Sequence, residues 1–285
     1  MIPIFFDSRQ SASENQSFSP SAQKPALVVE SWRKTGVPMV IQPFEPSRVE
    51  TICKVHDSDY VKGVLECRLK NGFGNKIPEV AATLPWICGS AVAAAVYAFG
   101  FRIPTFSPTS GAHHAHYDHG GGYCTFNFLA LQAVISHEVG ARKVGILDLD
   151  CHHGDGTEEI INRLGLDFIR HYSFGAQKID AGRSSLLWMD SLEKTVEEFA
   201  DCELIIFNAG VDAHFNDPLG GVLSTEQMRR RDEIVYTTVK RLGIPITTTL
   251  AGGYQRDETG SITPVLKLHD TTLMECHKAF FSNQV

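Results

Sequence analysis

Short, unbroken apolar runs alternate along this chain with longer stretches whose apolar residues recur at helical spacing. Pro38–Ile41, Ile103–Phe106, Val144–Leu149, Leu204–Phe207 and Pro245–Leu250 are rich in Val, Ile, Leu, Phe or Thr and show no regular polar alternation. That is the pattern of strands buried on both faces. Between them, Ala91–Tyr97, Phe126–His137, Leu186–Ala200 and Thr225–Leu242 read as helices. Ser224 or Thr225, with Glu226 and Gln227 behind it, supplies an N-terminal cap for the last of these. Strands alternating with helices predict an α/β fold, a mostly parallel sheet covered on both faces. The chain shows no internal repeat, low-complexity tract or interdomain linker, so residues 1–285 read as a single domain. The Ser/Gln-rich stretch Ser8–Gln23 reads as a surface loop leading into a helix.

Three of the apolar runs pass directly into polar or glycine-rich residues. Val144–Leu149 leads into Asp150-Cys151-His152-His153-Gly154-Asp155, Leu204–Phe207 into Asn208-Ala209-Gly210-Val211-Asp212, and Pro245–Leu250 into Ala251-Gly252-Gly253-Tyr254. Ligands of open parallel sheets gather beyond the carboxyl ends of the strands, so these segments are expected to converge. Asp150 and His152 lie two apart, and side chains two apart in an extended segment point to the same side. Both can reach one metal ion, and an oxygen with an imidazole nitrogen suits Zn²⁺. Asp212, at another strand end, offers a third ligand and leaves a coordination position open for water. Solvated loop residues are the bland alternative. Crowding Asp148, Asp150, His152, His153 and Asp155 beside a buried strand is costly unless they pair or bind metal.

A second tract, Ser107 to Asn127, follows the Ile103–Phe106 strand and carries His113, His114, His116 and His119. The tandem His113-His114 can bring two imidazoles to the site. Asp148 and Asp155, not needed as ligands, are natural carboxylate partners that would orient them. A second metal site or a surface histidine cluster is the competing reading. Gly120-Gly121-Gly122 permits a close turn, and Tyr123 offers an aromatic wall. In Leu250–Asp257, two glycines let the backbone approach a ligand and aim Tyr254 inward, where its hydroxyl can donate to a developing oxyanion.

Composition narrows the partners. The 285 residues are 43% hydrophobic and 21% charged, with a formal net charge of -7. That balance argues against a general nucleic-acid or anionic-membrane surface and mildly favours a cationic substrate. The seven cysteines (Cys53, Cys67, Cys88, Cys124, Cys151, Cys202 and Cys276) are odd in number and form no CxxC pair. A reducing, cytoplasmic setting is expected. The start of the chain has no basic segment followed by a long apolar one, so no secretory signal is expected. The most apolar run, Gly89–Phe101, is shorter than the roughly 20 residues a bilayer needs and reads as a buried Ala-rich helix.

SGAHHA, GYCTFN, DLDCHHGDGTEE, NAGVDAHFNDPLGG and AGGY, in this order between Ser107 and Tyr254, together with HDSDYV at His56–Val61, resemble the zinc-dependent histone deacetylase family. Its superfamily also holds acetylpolyamine amidohydrolases and, more distantly, arginases. The resemblance implies a three-layer α/β/α fold of arginase/deacetylase type and a compact, bacterial-type hydrolase that removes an acetyl or other acyl group from an amine. It implies that Asp150, His152 and Asp212 bind one Zn²⁺, that His114 is general base with His113 as electrostatic companion, and that Asp148 pairs with His113 and Asp155 with His114. Tyr254 would polarise the acyl carbonyl, Gly122, Tyr123 and Leu219 would line the substrate tunnel, and a structural K⁺ would sit near Asp148. In many members a Ser-x-His run and an aromatic loop follow the next strand. Here His171 matches the histidine while Ile169 stands in the serine's place; Phe174 is the candidate second tunnel wall and Glu79 the candidate rim acid. Substrates are an acyl-lysine of a protein or peptide, or an acetylpolyamine. Leu219 in Asp217-Pro218-Leu219-Gly220, where a polyamine-selective member carries Glu, tilts toward acyl-lysine. A non-catalytic binding module would require loss of a ligand, a His or the Tyr, and all are present. A two-metal, arginase-like site would need further bridging carboxylates.

Overall fold

The computed structural model describes residues 1–282. In chain order the elements are β1 (Ile2–Phe5), α1 (Lys24–Lys34), β2 (Met39–Gln42), α2 (Val49–Ile52), α3 (Ser58–Leu65), α4 (Pro78–Phe101), β3 (Thr105–Ser107) and α5 (Phe128–Glu138). They continue with β4 (Val144–Asp148), α6 (Asp155–Leu164), β5 (Ile169–Ser173), α7 (Arg183–Glu197), β6 (Leu204–Gly210), α8 (Thr225–Leu242), β7 (Ile246–Ala251) and α9 (Thr263–Phe281). The strands form one seven-stranded sheet in the order β2-β1-β3-β7-β6-β4-β5, and every pairing is parallel.

Alternation along the central strands builds two cores. Ile205 and Phe207 of β6 pack with Trp32 of α1, Leu192 of α7, Val235 of α8 and Leu273 of α9. Leu204 and Ile206 point the other way, to Val61 of α3, Ala91 of α4, Leu129 of α5 and Ile160 of α6. A period of two thus feeds both faces, and the result is the expected three-layer α/β/α architecture. The capping expectation for α8 holds: Ser224 accepts from the Gln227 N–H at 3.2 Å while Gln227 accepts from the Ser224 N–H at 2.8 Å.

Two expectations are corrected. The Ala-rich helix is not confined to Gly89–Phe101: α4 begins at Pro78, includes Pro85, and is long and apolar enough, by length and composition, to cross a membrane. Here it is a core helix, packed against α5, β3 and β7, with Leu84, Ala91, Ala94, Ala95 and Ala98 buried. Ser8–Gln23 does lead into a helix, but it is more than a solvated loop, because Asn15, Ser19 and Ser21 are buried.

Candidate metal centre and active site

β4 stops at Asp148, which lies in register with Asn208 of β6 and Ser173 of β5. The turn that follows delivers Asp150 and His152, and the segment after β6 delivers Asp212. Close backbone approach makes this possible: a Cβ on Gly210 would lie 2.3 Å from Asp150 Cα, and one on Gly252 would lie 2.2 Å from Asp212 Cγ. Among the described residues, Asp150, His152 and Asp212 form the one group whose ligand atoms all converge within 4.8 Å.

His152 Nδ1 lies 3.1 Å from Asp150 Oδ1 and 2.9 Å from Asp212 Oδ2, while its Nε2 lies 2.9 Å from the Leu219 carbonyl. With Nε2–H donating to that carbonyl, Nδ1 is aimed at the two carboxylates and donates its proton to them; a metal that displaced that proton would find the nitrogen already oriented as a ligand. Hydrogen bonds to Asp150 and Asp212 lift His152 to about 11 against the effect of burial. Burial pushes Asp150 up, yet His113 and His152 outweigh it and hold it at about 2. Burial and the adjacent Asp150 charge raise Asp212. Two buried carboxylates facing one imidazole concentrate negative charge that a divalent cation neutralises, so the donor set fits Zn²⁺.

The histidine pair sits against this group. His113 Nδ1 is 2.8 Å from Asp148 Oδ2, and His114 Nδ1 is 2.6 Å from Asp155 Oδ1, with the two ring centroids 4.1 Å apart. Both carboxylate partnerships are those expected from sequence. Their environments separate the two rings. Burial lowers His113, but Asp148 and Asp150 overcome it and bring it to about 9. Burial and the neighbouring His113 charge lower His114. The carboxylates thus push His113 up while burial and His113 push His114 down, separating the two rings in acidity. His116 and His119 stack at 4.5 Å, and His116 stays 3.7 Å from Asp155 and 3.9 Å from Glu159 without forming a second group of converging ligands among the described residues.

Tyr254 arrives on a turn whose glycines take positive φ, +52° at Gly252 and +88° at Gly253. Its N–H donates to Asp217 Oδ2 at 2.7 Å, and Asp217 Oδ1 accepts from the Leu219 N–H at 3.0 Å. One buried carboxylate thus positions both the tyrosine and the leucine. Burial, then the charges of Asp212 and Asp150, raise the Tyr254 hydroxyl, which keeps its proton and remains a donor. Tyr123 packs on it with ring centroids 5.6 Å apart, from a backbone at φ +65°. A Cβ on Gly122 would lie 2.5 Å from His114 Cδ2, so the Gly122 backbone lies close against the His114 ring. Leu219, 42% exposed, borders the same side as His152.

Three expectations fail. Phe174 is buried against Trp188, ring centroids 4.4 Å apart, and forms no wall, because the turn after β5 brings Gly175 onto the His152 backbone and sends Phe174 inward. Glu79 is no rim acid for substrate: its carboxylate accepts from the Ser13 N–H and hydroxyl. The serine at the end of β5 is Ser173, paired with Asp148, and Ile169 is the strand's first residue; His171 is a mid-strand residue whose Nε2 is buried without a hydrogen-bond partner.

Several supporting groups lie outside the site residues expected from the sequence. Lys24 is fully buried and its Nζ donates to Ser110 Oγ at 2.9 Å and to the Gly252 carbonyl; burial lowers it to about 8, partly offset by Asp212 and Asp150. Arg231, also fully buried, donates to the carbonyls of Leu149 and Gly210, on the strand ends that carry Asp150 and Asp212, and pairs with Asp232 at 2.8 Å. His56, held neutral by burial at about 4, accepts the Asn127 N–H at 2.7 Å and so fastens the tract behind the histidine pair. Phe18 stacks on Tyr254, centroids 6.0 Å apart and planes at 19°.

A family profile described as the histone deacetylase domain matches residues 20–165 and 177–266. The chain belongs to the histone deacetylase domain family. This family member is 29% identical over 184 residues to an acetylpolyamine amidohydrolase of Mycoplana ramosa, covering 54% of this chain and 53% of that protein. It is 26% identical over 251 residues to histone deacetylase 2 of Arabidopsis thaliana, covering 76% of this chain and 64% of that one. Among solved structures, the HDA15 HD domain superposes with a TM-score of 0.77 at 20% identity, covering 99% of this chain and 91% of its own. The fold is shared over nearly the whole chain, while each of the two relatives is matched over no more than two thirds of its length.

Proposed function

We propose that this protein is a zinc-dependent amidohydrolase that removes an acetyl or related acyl group from the side-chain nitrogen of acyl-lysine in proteins or peptides. One geometric observation carries the reading: three converging ligands, two carboxylate-oriented histidines and an inward tyrosine meet at the ends of β3, β4, β6 and β7. Bound Zn²⁺ would supply Lewis acidity and an acidified water at Asp150, His152 and Asp212. The chain's own residues do the rest. His114 Nε2 takes the proton of the attacking water, with Nδ1 anchored on Asp155. His113, charged against Asp148, stabilises the negative charge that develops beside it. The Tyr254 hydroxyl donates to the carbonyl oxygen as that charge grows, and a protonated histidine returns a proton to the leaving amine. A structural K⁺ beside Asp148 would join a carboxylate whose oxygens already accept from His113, Asn208 and the Asp150 N–H. Seven free cysteines support a reducing, cytoplasmic setting.

The acid limb of the pH profile follows from His114. A lowered pKa keeps its proton-accepting form to more acidic pH than a free imidazole. The kcat/KM of the zinc enzyme is therefore expected to rise with pH through an ionisation below about 6.5 and to be level at neutral pH. Asp155 raises His114 through its hydrogen bond and charge, so Asp155→Asn should move this limb to lower pH while reducing the plateau. An acid limb that moves to higher pH in Asp155→Asn would remove His114 from the role of base.

Apolar Leu219 at the mouth supports acyl-lysine, since a polyamine needs negative charge there to receive its distant ammonium. The Mycoplana relative favours a second reading, a small acylated polyamine. Turnover of acetyl-lysine peptides, longer acyl-lysines and acetylated polyamines by the zinc-loaded protein tests both. Peptides are expected to be preferred. Strong preference for acetylputrescine would reverse the order, and no hydrolysis of any amide would leave a binding module.

A further inference from the structure

We infer that Arg231 is a positioning residue for the metal centre: by bridging the ends of β4 and β6 it holds Asp150 and Asp212 at a spacing that favours zinc over larger divalent cations. This rests on the metal-dependent reading above and goes beyond it by naming the residue that sets the metal preference.

Arg231 is the last of three consecutive arginines on α8, Arg229 to Arg231, and the one whose side chain is fully buried. β4 and β6 pair in register from Val144–Leu204 to Asp148–Asn208, and the Leu149 N–H adds one bond to the Asn208 carbonyl at 3.1 Å. Past this ladder the carbonyls of Leu149 and Gly210 both accept from Arg231 Nη1, the first at 3.2 Å. One nitrogen thus carries the strand pairing on to the residue before Asp150 and the residue two before Asp212. The guanidinium is itself fixed. Its Nε donates to Asp232 Oδ1 at 2.8 Å, Asp232 Oδ2 accepts from the Thr272 hydroxyl of α9 at 2.7 Å, and its Cζ lies 5.8 Å from the centroid of the Phe207 ring. A Cβ on Gly210 would lie 2.3 Å from Asp150 Cα, so the two ligand-bearing segments are in contact and a shift of either moves a ligand.

Fold stability alone is a poor reason for this group. A buried ion pair is often replaced by apolar residues of similar volume without loss. Arg231 Nη2 is also buried without a hydrogen-bond partner among the described residues, which costs more. What an apolar side chain cannot do is donate to two carbonyls on two strands. Selectivity among divalent metals comes from geometry and ligand type more than from raw affinity. Zn²⁺ takes few, close ligands in a tetrahedral set, whereas Mn²⁺ suits an oxygen-rich octahedral one that water can complete. Holding Asp150 and Asp212 close therefore favours zinc, and a site free to open loses zinc more than manganese.

The test reads association constants of the full chain for Zn²⁺ and Mn²⁺ by chelator competition and takes the ratio of zinc to manganese. An unfolded fraction lowers both constants alike and cancels. Arg231→Lys keeps a charge for Asp232, but it has one nitrogen on a shorter stem where arginine uses Nε and Nη1, so it cannot meet Asp232 and the carbonyls together. It is expected to lower zinc affinity about tenfold, the low end for loss of a supporting partner, and manganese affinity less, so that the ratio falls at least about threefold. Arg231→Met/Asp232→Asn removes the charge pair as a unit and should give the same fall; it decides the question should the lysine variant fail to fold. Tyr236→Phe removes a hydroxyl through which the same helix bonds Thr248 of β7, and so reports loosening of α8 alone; its ratio should equal that of the wild type. An unchanged ratio in the Arg231 variants, or an equal fall in Tyr236→Phe, overturns the assignment. If the wild-type protein binds zinc but hydrolyses no amide, the hydrolase reading falls and the same ratio still decides this inference. No zinc bound by the wild type overturns both.

Discussion

Tyr254→Phe is expected to lower kcat by about 10²–10³-fold while one zinc per chain stays bound, the loss typical of removing a single oxyanion donor. The variant deletes only the hydroxyl. The Tyr254 N–H to Asp217 and the ring contacts with Tyr123 and Phe18 do not depend on it. KM should therefore change little, because the donor acts on charge that appears only as the carbonyl is attacked. Steady-state kinetics with metal analysis of the same sample reads both quantities. Turnover at the wild-type rate would take Tyr254 out of the chemistry.

Asp212→Asn is expected to have the largest effect on metal. It keeps the volume and can still accept the Cys151 N–H that Asp212 Oδ1 now receives at 3.1 Å. It removes one of two anionic ligands. Zinc affinity should fall by more than about 100-fold, beyond the range seen when only a supporting partner of a ligand is lost, and amide hydrolysis should fall to background. Asn208, on the strand that leads into Asp212, offers a control: it donates to Asp148 at 2.7 Å and does not belong to the converging group. Equal zinc affinity in Asp212→Asn and wild type would place the metal elsewhere.

The parts of this fold that sequence revealed are those whose physics is local. β3, β4, β6 and β7 lie inside the sheet, and the runs that mark them, rich in Val, Ile, Leu, Phe or Thr without polar alternation, announce burial on both faces; Pro38–Ile41 reads the same way but becomes β2, an edge strand only partly buried. β5 forms an edge; Arg170, His171 and Tyr172 are only half-buried there, so its pattern does not read as a strand. β1 is four residues long and contains Pro3, which hides it equally well. In the site, Asp150 and His152 were legible because they crowd with other ionisable residues just past a buried strand, although a turn rather than strand alternation brings them together, and Asp148 and Asp155 because a histidine pair needs carboxylates. Lys24, Asp217 and Phe18 were not. Each acts through a contact with the Tyr254 turn, and for Lys24 that contact spans 228 residues of sequence. Phe174 was misplaced for a related reason: whether a residue just past a strand faces solvent or core depends on the next turn, here set by Gly175 lying against His152.

Anomalous scattering at the zinc edge from crystals of the zinc-loaded protein tests the central claim most directly. A single strong peak is expected, about 2.0–2.2 Å from one oxygen each of Asp150 and Asp212 and from His152 Nδ1, with a free face toward His114 and Tyr254. A peak coordinated by His116 and His119, two peaks sharing these carboxylates, or none at full zinc loading would contradict it.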